Sequence, residues 1–253
     1  MSRSTRTAII TGSSSGIGRA IAIRMLRSGY NVVINYSSDY DPASRTLMDC
    51  QQISRQHVVM EKADVSIADD AQRLVRRAVS EFGALDVLVN NAARVADRPF
   101  LEMTEADWDS VVDVGMKGAF LCSQSAARQM LSQEDGGVIL NIGASTGITA
   151  RRNGVNTCAS KAGLMIMTQC LALELGPKIR VNTIVPGLTL TPETERRFGL
   201  RDPAIRSERE GAIPLGRIGR PEDVASAVML ALSDEAAFIT GQKITVDGGQ
   251  FMR

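Results

Sequence analysis

Few side chains in this chain are equipped for chemistry, and they fall in two stretches. The first is RRNGVNTCASKAG, from Arg151 to Gly163. It holds the hydroxyl of Thr157, the thiol of Cys158 and the amine of Lys161, with Thr157 four residues before the lysine. Upstream, in NIGAST, Ser145 offers a further hydroxyl beside Ala144. An ammonium group lowers the pKa of a neighbouring acid. An aliphatic hydroxyl titrates too far above working pH for one lysine to make it an efficient general acid. His57 is the only histidine, so a histidine triad or a zinc site has no material. It opens an apolar run and reads as a surface or strand-edge residue. Cys50, Cys122, Cys158 and Cys170 stand far apart, without metal spacing, and read as reduced thiols. With no histidine to activate it, Cys158 reads as a packing thiol. No metal is expected.

The second stretch is TGSSSGIG, Thr11–Gly18, set where an apolar run gives way to a helical pattern. Gly12 allows a tight turn, Gly16 lets backbone approach a pyrophosphate, and Gly18 allows close helix–strand packing. The helix that follows points free N–H groups and a partial positive charge at the phosphates. The next strand ends in VINYSSD. An acid at that end would bond the adenosine ribose hydroxyls of NAD. Tyr36 stands there instead, followed by Ser37 and Ser38, so a 2′-phosphate meets hydroxyls without a carboxylate. NADP(H) is favoured over NAD(H), with Asp39 close by and Arg19 placed to help.

The elements that must position these groups alternate along the whole chain. Strands are expected at Thr7–Ile10, Asn31–Asn35, His57–Ala63, Asp86–Asn90, Gly137–Ile142, Ile179–Val185 and Gln242–Gly248. Helices are expected near Arg19–Arg27, Pro42–Ser54, Ala68–Phe82, Glu105–Leu131 and Ala159–Leu175. Short apolar strands between helices indicate a parallel sheet covered on both faces, a doubly wound α/β domain of seven strands occupying residues 1–253. Thr189–Ile213 is polar and irregular and reads as a lid beside a ligand site or a solvated excursion.

With these residues on the page, the chain resembles the short-chain dehydrogenase/reductase family, a single-domain Rossmann fold, and looks most like its 3-oxoacyl-[acyl-carrier-protein] reductase-like members. TGSSSGIG matches TGxxxGxG, and NNAA (Asn90–Ala93) resembles NNAG with Ala93 for the final glycine. PGLTLT (Pro186–Thr191) resembles PGxxxT, and GRIGRPEDVA and ITGQKITVDGG resemble the C-terminal segments. The resemblance implies a nicotinamide cofactor. Gly12, Ser14, Ser15, Gly16, Ile17 and Gly18 would hold its phosphates, and Asp64 with Val65 its adenine. Asn90 and Ala92 would sit by its ribose, Pro186, Gly187, Leu188 and Thr191 by its carboxamide. Lys161 would hold the nicotinamide ribose hydroxyls.

The departures fall on the family's catalytic tetrad of Asn, Ser, Tyr and Lys. Lys161 matches. Thr157 stands at the tyrosine position, Ala144 thirteen residues earlier at the serine position, and Gly115 at the asparagine position. Ser145 could partly replace the serine. Tyr30, Tyr36 and Tyr40 are the only tyrosines, so a shifted alignment, including the enoyl-reductase arrangement, supplies no phenol. Gly115 within a helix marks a kink or simply a small residue filling space. Three functions remain open: an oxidoreductase acting on an activated substrate that needs little proton assistance; a non-catalytic NADP(H)-binding sensor or partner subunit; and a non-redox isomerase or cyclase using the same cleft.

Composition narrows the partners. Apolar residues make up 44%, and 29 basic against 28 acidic residues leave a formal charge of +1. No like-charged block points to nucleic acid or an anionic membrane. No signal peptide or transmembrane run is expected, so a cytoplasmic location is. AGLMIMTQCLALEL, Ala162–Leu175, is apolar nearly all round. Such a helix is covered by a subunit interface, in a dimer or tetramer, or within its own subunit.

Overall fold

A computed structural model describes residues 5–252; the expected lead-in Met1–Ser4 and Arg253 lie outside them. Seven parallel strands form one sheet in the order β3-β2-β1-β4-β5-β6-β7. They are β1 (Thr7–Ile10), β2 (Asn31–Tyr36), β3 (Val58–Lys62), β4 (Val87–Asn90), β5 (Gly137–Ile142), β6 (Ile179–Pro186) and β7 (Lys243–Val246). Strand order reverses between β1 and β4, where the carboxyl ends leave a crevice.

Side chains alternate across each strand. Ala8 and Ile10 of β1 pack with α1 (Gly16–Arg27), α2 (Tyr40–Ile53) and α9 (Pro221–Leu232) on one face. Ile9 packs with α3 (Ala68–Phe82), α5 (Gly118–Leu131) and α6 (Val155–Leu175) on the other. Both faces are therefore apolar, and β1 and β4 are buried throughout.

Three expectations need correction. The single helix expected over Glu105–Leu131 is α4 (Glu105–Val112) and α5, joined by a π-helical turn at Asp113–Lys117. Buried Gly115 lies in that turn, and a Cβ there would stand 2.7 Å from Ser160 Oγ. Thr189–Ile213 is not irregular: it contains α7 (Pro192–Phe198) and α8 (Pro203–Gly211). Their polar sequences hid a helical period, but Thr191 and Asp202 cap their starts, each followed by proline at the first turn. A further helix, α9, was not among the expected elements; Pro221 stands in its first turn, where proline is accommodated.

Polar residues inside the sheet are tied in one chain. Asn90 Nδ2 donates to Asn141 Oδ1 and to Ser123 Oγ, each at 2.9 Å. Asn141 Nδ2 donates to Thr168 Oγ1 at 2.8 Å, and Thr168 and Thr183 share a 2.8 Å hydroxyl bond. This chain stitches β4, β5 and β6 to α5 and α6. Asn141→Leu removes its centre and leaves buried partners unpaired. It should lower stability by about 2–4 kcal/mol, read as a fall in the urea midpoint with unchanged slope.

Candidate active site

The β1–α1 turn is held from behind. Gly12 has φ +59°, and its N–H donates to Asn35 Oδ1 at 3.0 Å. Ser13 Oγ donates to Ile10 O and accepts from Asn35 N. Asn91 Nδ2 donates to the carbonyls of Thr11 and Gly12 at 2.9 and 3.0 Å. Behind it, Gly18 is packed so closely that a Cβ would lie 2.6 Å from Gly12 O. The other side of the turn is free: Ser15, the N-cap of α1, makes no side-chain cap, and the first turn carries no acid. Uncapped N–H groups at a helix start receive phosphate.

This turn opens on a cleft of about 410 Å³. Gly12, Ser14, Ser15, Gly16 and Ile17 line it from the turn, Tyr36, Ser37 and Ser38 from the end of β2, and Asp64 and Val65 from the end of β3. Ala92 closes a further side and Thr191 stands at the mouth. Sequence reasoning missed Asn91, Arg94, Val95, Val114 and Glu193, which also line it. Asn91 was legible, one residue along in the same motif; the others depend on how loops fall across the crevice.

Some expected residues lie elsewhere. Asn90, expected beside a ribose, turns its amide inward to Ser123 and Asn141. Pro186, Gly187 and Leu188 do not line this cleft; Gly187 N and Leu188 N donate to Val246 O and Gln250 Oε1 of the C-terminal segment. Arg19 is spent on Asp49, at 2.6 Å. His57 stands just before β3, its Nδ1 2.6 Å from Asn31 Oδ1.

Beyond the crevice, Lys161 is buried at the start of α6, and its Nζ donates to Ile142 O at 2.7 Å. Burial pushes its pKa down to about 8. Ala144 and Ser145 follow β5, and the turn Ser145–Gly147 lies against α6, a Cβ on Gly147 coming within 2.8 Å of the Lys161 backbone. The Thr157 hydroxyl donates to Asp97 Oδ1 at 3.0 Å. The Asp97 carboxylate also takes both terminal nitrogens of Arg151 and one of Arg197. Tyr30 and Tyr36 bound β2 and Tyr40 starts α2, on the far side of β1 from β4, β5 and β6.

Residues 12–250 match a family model described as Enoyl-(Acyl carrier protein) reductase. The chain belongs to the short-chain dehydrogenase/reductase family. It is 37% identical over 249 residues to 3-oxoacyl-[acyl-carrier-protein] reductase FabG of Staphylococcus aureus, spanning 98% of this chain and 99% of that protein. FabG of Staphylococcus epidermidis is 36% identical over 248 residues, again across 98% and 99%. A Brucella melitensis short-chain dehydrogenase/reductase structure superposes with a TM-score of 0.88 at 34% identity, covering 98% of this chain and 97% of that one. A putative short-chain alcohol dehydrogenase from Sinorhizobium meliloti gives 0.90 at 34% identity, over 97% and 96%. The chain is thus a short-chain oxidoreductase by family. Among the described residues no helix is long and apolar enough to cross a membrane.

The depressed pKa of Lys161 has a thermodynamic signature. Below about pH 8 the amine is charged in both folded and unfolded chains and carries its full burial penalty. Between about 8 and the ordinary lysine value of 10.5 the unfolded chain binds the extra proton, so stability rises with pH. Wild type should therefore gain about 1–3 kcal/mol on Lys161→Met across this window. Denaturant unfolding of both proteins at the two ends of that window checks it; a difference independent of pH would contradict it.

Proposed function

We propose that this chain binds NADP(H) in the cleft over α1 and is an oxidoreductase without the family's usual tyrosine–serine proton relay. Its hydride transfer is then limited to an activated substrate or one that needs no tyrosine. The observation that carries the reading is Thr157. At the position where the resemblance places a phenol stands a short hydroxyl, donated to Asp97 at 3.0 Å. That carboxylate is itself occupied by Arg151 and Arg197.

The cofactor side is supported by the uncapped start of α1 and the serines beside it. When bound, the nicotinamide group supplies or accepts the hydride. Within the chain, the Gly12–Gly18 turn binds phosphate. Ser37 and Ser38 are exposed at the end of β2 and donate to a 2′-phosphate. Lys161 holds ribose hydroxyls with the hydrogens not given to Ile142 O. Ala144 offers a carbonyl oxygen no donor, and Gly115 offers no amide. Ser145 is the remaining hydroxyl on that loop.

NADPH should bind at least about tenfold more tightly than NADH, measured by calorimetry; equal affinities would contradict the reading of Tyr36, Ser37 and Ser38. With NADPH, simple ketones and β-ketoesters should turn over at least about 10²–10⁴-fold below ordinary rates. The combined change Gly115→Asn, Ala144→Ser, Thr157→Tyr, with Asp97→Asn to release the hydroxyl position, should raise that rate. Ordinary wild-type turnover, roughly 1–10³ s⁻¹, would show that another group moves the proton. Cofactor binding with no turnover on any activated substrate would instead favour a binding protein.

The assembly proposed is a homo-oligomer, a dimer or tetramer, through Ala162–Leu175. Ile166 and Leu173 on α6 are 60% and 86% exposed, and Phe120 and Leu131 on α5 are 45% and 44% exposed. Ile166→Glu with Leu173→Glu should shift the mass by light scattering to a monomer at micromolar concentration. A wild type that is already monomeric would count against the interface.

A further inference from the structure

Resting on the oxidoreductase reading above, we infer that the substrate carries a carboxylate group, received by Arg151 and Arg197 in the place that Asp97 holds here. Three segments converge on this point. Asp97 follows β4, Arg151 precedes α6, and Arg197 lies on α7, 54 and 100 residues away from Asp97 in sequence. The side chains of Arg151 and Arg197 are 24% and 22% exposed, and that of Asp97 17%. They are desolvated on one side and reachable from the other. The planar fork of Arg151 matches a carboxylate with two parallel bonds.

Donors outnumber acceptors in this cluster. Both Asp97 oxygens are already shared: Oδ1 between Arg151 and Thr157, Oδ2 between Arg151 and Arg197. Arg151 Nε is nonetheless buried with no partner, as are the hydroxyls of Thr146 and Thr149 on the same loop. Buried donors left unpaired are costly. The second acid near Arg197, Glu193, is 3.5 Å away, with a side chain 47% exposed. Two guanidinium groups and unspent donors suit an acceptor-rich anion.

The position suits a substrate. Thr157 lies one helical turn before Lys161, and α7 begins at Thr191 and Pro192, which stand on the cofactor cleft. A carboxylate on the two arginines would bring the rest of a small substrate beside Thr157, Ser145 and the mouth of that cleft. The exchange is carboxylate for carboxylate, so the arginines are already desolvated when the ligand arrives. Ala96 O and Arg98 N, on either side of Asp97, are held by Asn156 and Asn153, so the exchange is one of the Asp97 side chain alone.

The test uses 2-oxobutanoate and 4-oxopentanoate, each against its methyl ester, titrated calorimetrically into wild type, Arg151→Met, Arg197→Met, Arg197→Lys and Asp97→Asn, with and without NADPH. Wild type should bind at least one acid about tenfold or more tightly than its ester. Both methionine variants should lose that preference while holding NADPH as wild type does, and Arg197→Lys should keep part of it. Asp97→Asn should bind the acid more tightly, since it removes a competing charge. If the cluster only latches three loops together, Asp97→Asn weakens or leaves unchanged the binding of acid. That result, equal binding of acid and ester, a preference that survives both methionine variants, or no acid binding up to roughly 10 mM overturns the inference. The acid–ester difference is read without cofactor. Failure of wild type to bind NADPH therefore counts against the oxidoreductase reading alone.

Discussion

A parallel sheet buried on both faces has no room for polar side chains except at the ends of its strands. Most of the groups that line the cleft are arranged under that constraint. The Gly-rich turn follows β1, the Tyr36-Ser37-Ser38 run follows β2, Asp64 follows β3, and Asn91 with Asp97 follows β4. Ala144 and Ser145 follow β5, and Thr191 follows β6. All six carboxyl ends lie on one side because the strands are all parallel. Among the polar groups that do enter the sheet, Asn90 bonds Asn141, Asn141 and Thr183 bond Thr168, and Asn182 bonds Ile239 O.

The same economy explains the two ends of the cleft. At the glycine-rich end the backbone itself faces the cleft, so conformation matters more than side-chain identity. Gly12 and Gly16 both take positive φ, and hydrogen bonds from Gly12 N–H to Asn35 Oδ1 and from Asn91 Nδ2 to Thr11 O fix the turn without covering its outer face. At the other end the groups are side chains, and they are tied to one another. The hydroxyl of Thr157 is tied to a carboxylate that two arginines hold. Asp97, Arg151, Arg197 and Thr157 form a knot of charges and hydrogen bonds that joins three segments.

Legibility in the sequence followed the range of the forces involved. Strand and helix existence was readable because burial imposes a period on neighbouring residues; β1, β5 and α3 were placed to the residue. The boundary of α1 was late by three residues, since Gly16 and Gly18 read as loop yet begin the helix. Gly115 was readable as a break, but the π-helical form of the turn was not, because it depends on α6 packing across it. The lid helices α7 and α8 bury little of their own length, so their apolar period was weak and only their caps remained as signals.

By itself the sequence determined the doubly wound class, the glycine-rich turn after β1 and the absence of a phenol near Lys161. Each of these is a local matter: a repeat of apolar runs, a glycine spacing, a residue type. Only the tertiary structure decided that Asn90 faces inward while Asn91 lines the cleft, because adjacent strand-end residues point to opposite sides. Nor could sequence place Asp97 on Thr157, 60 residues distant, or bring Arg197 to the same carboxylate from 100 residues away. Charges pair through space, and only the packing of α6 and α7 against the crevice brings these within reach of one another.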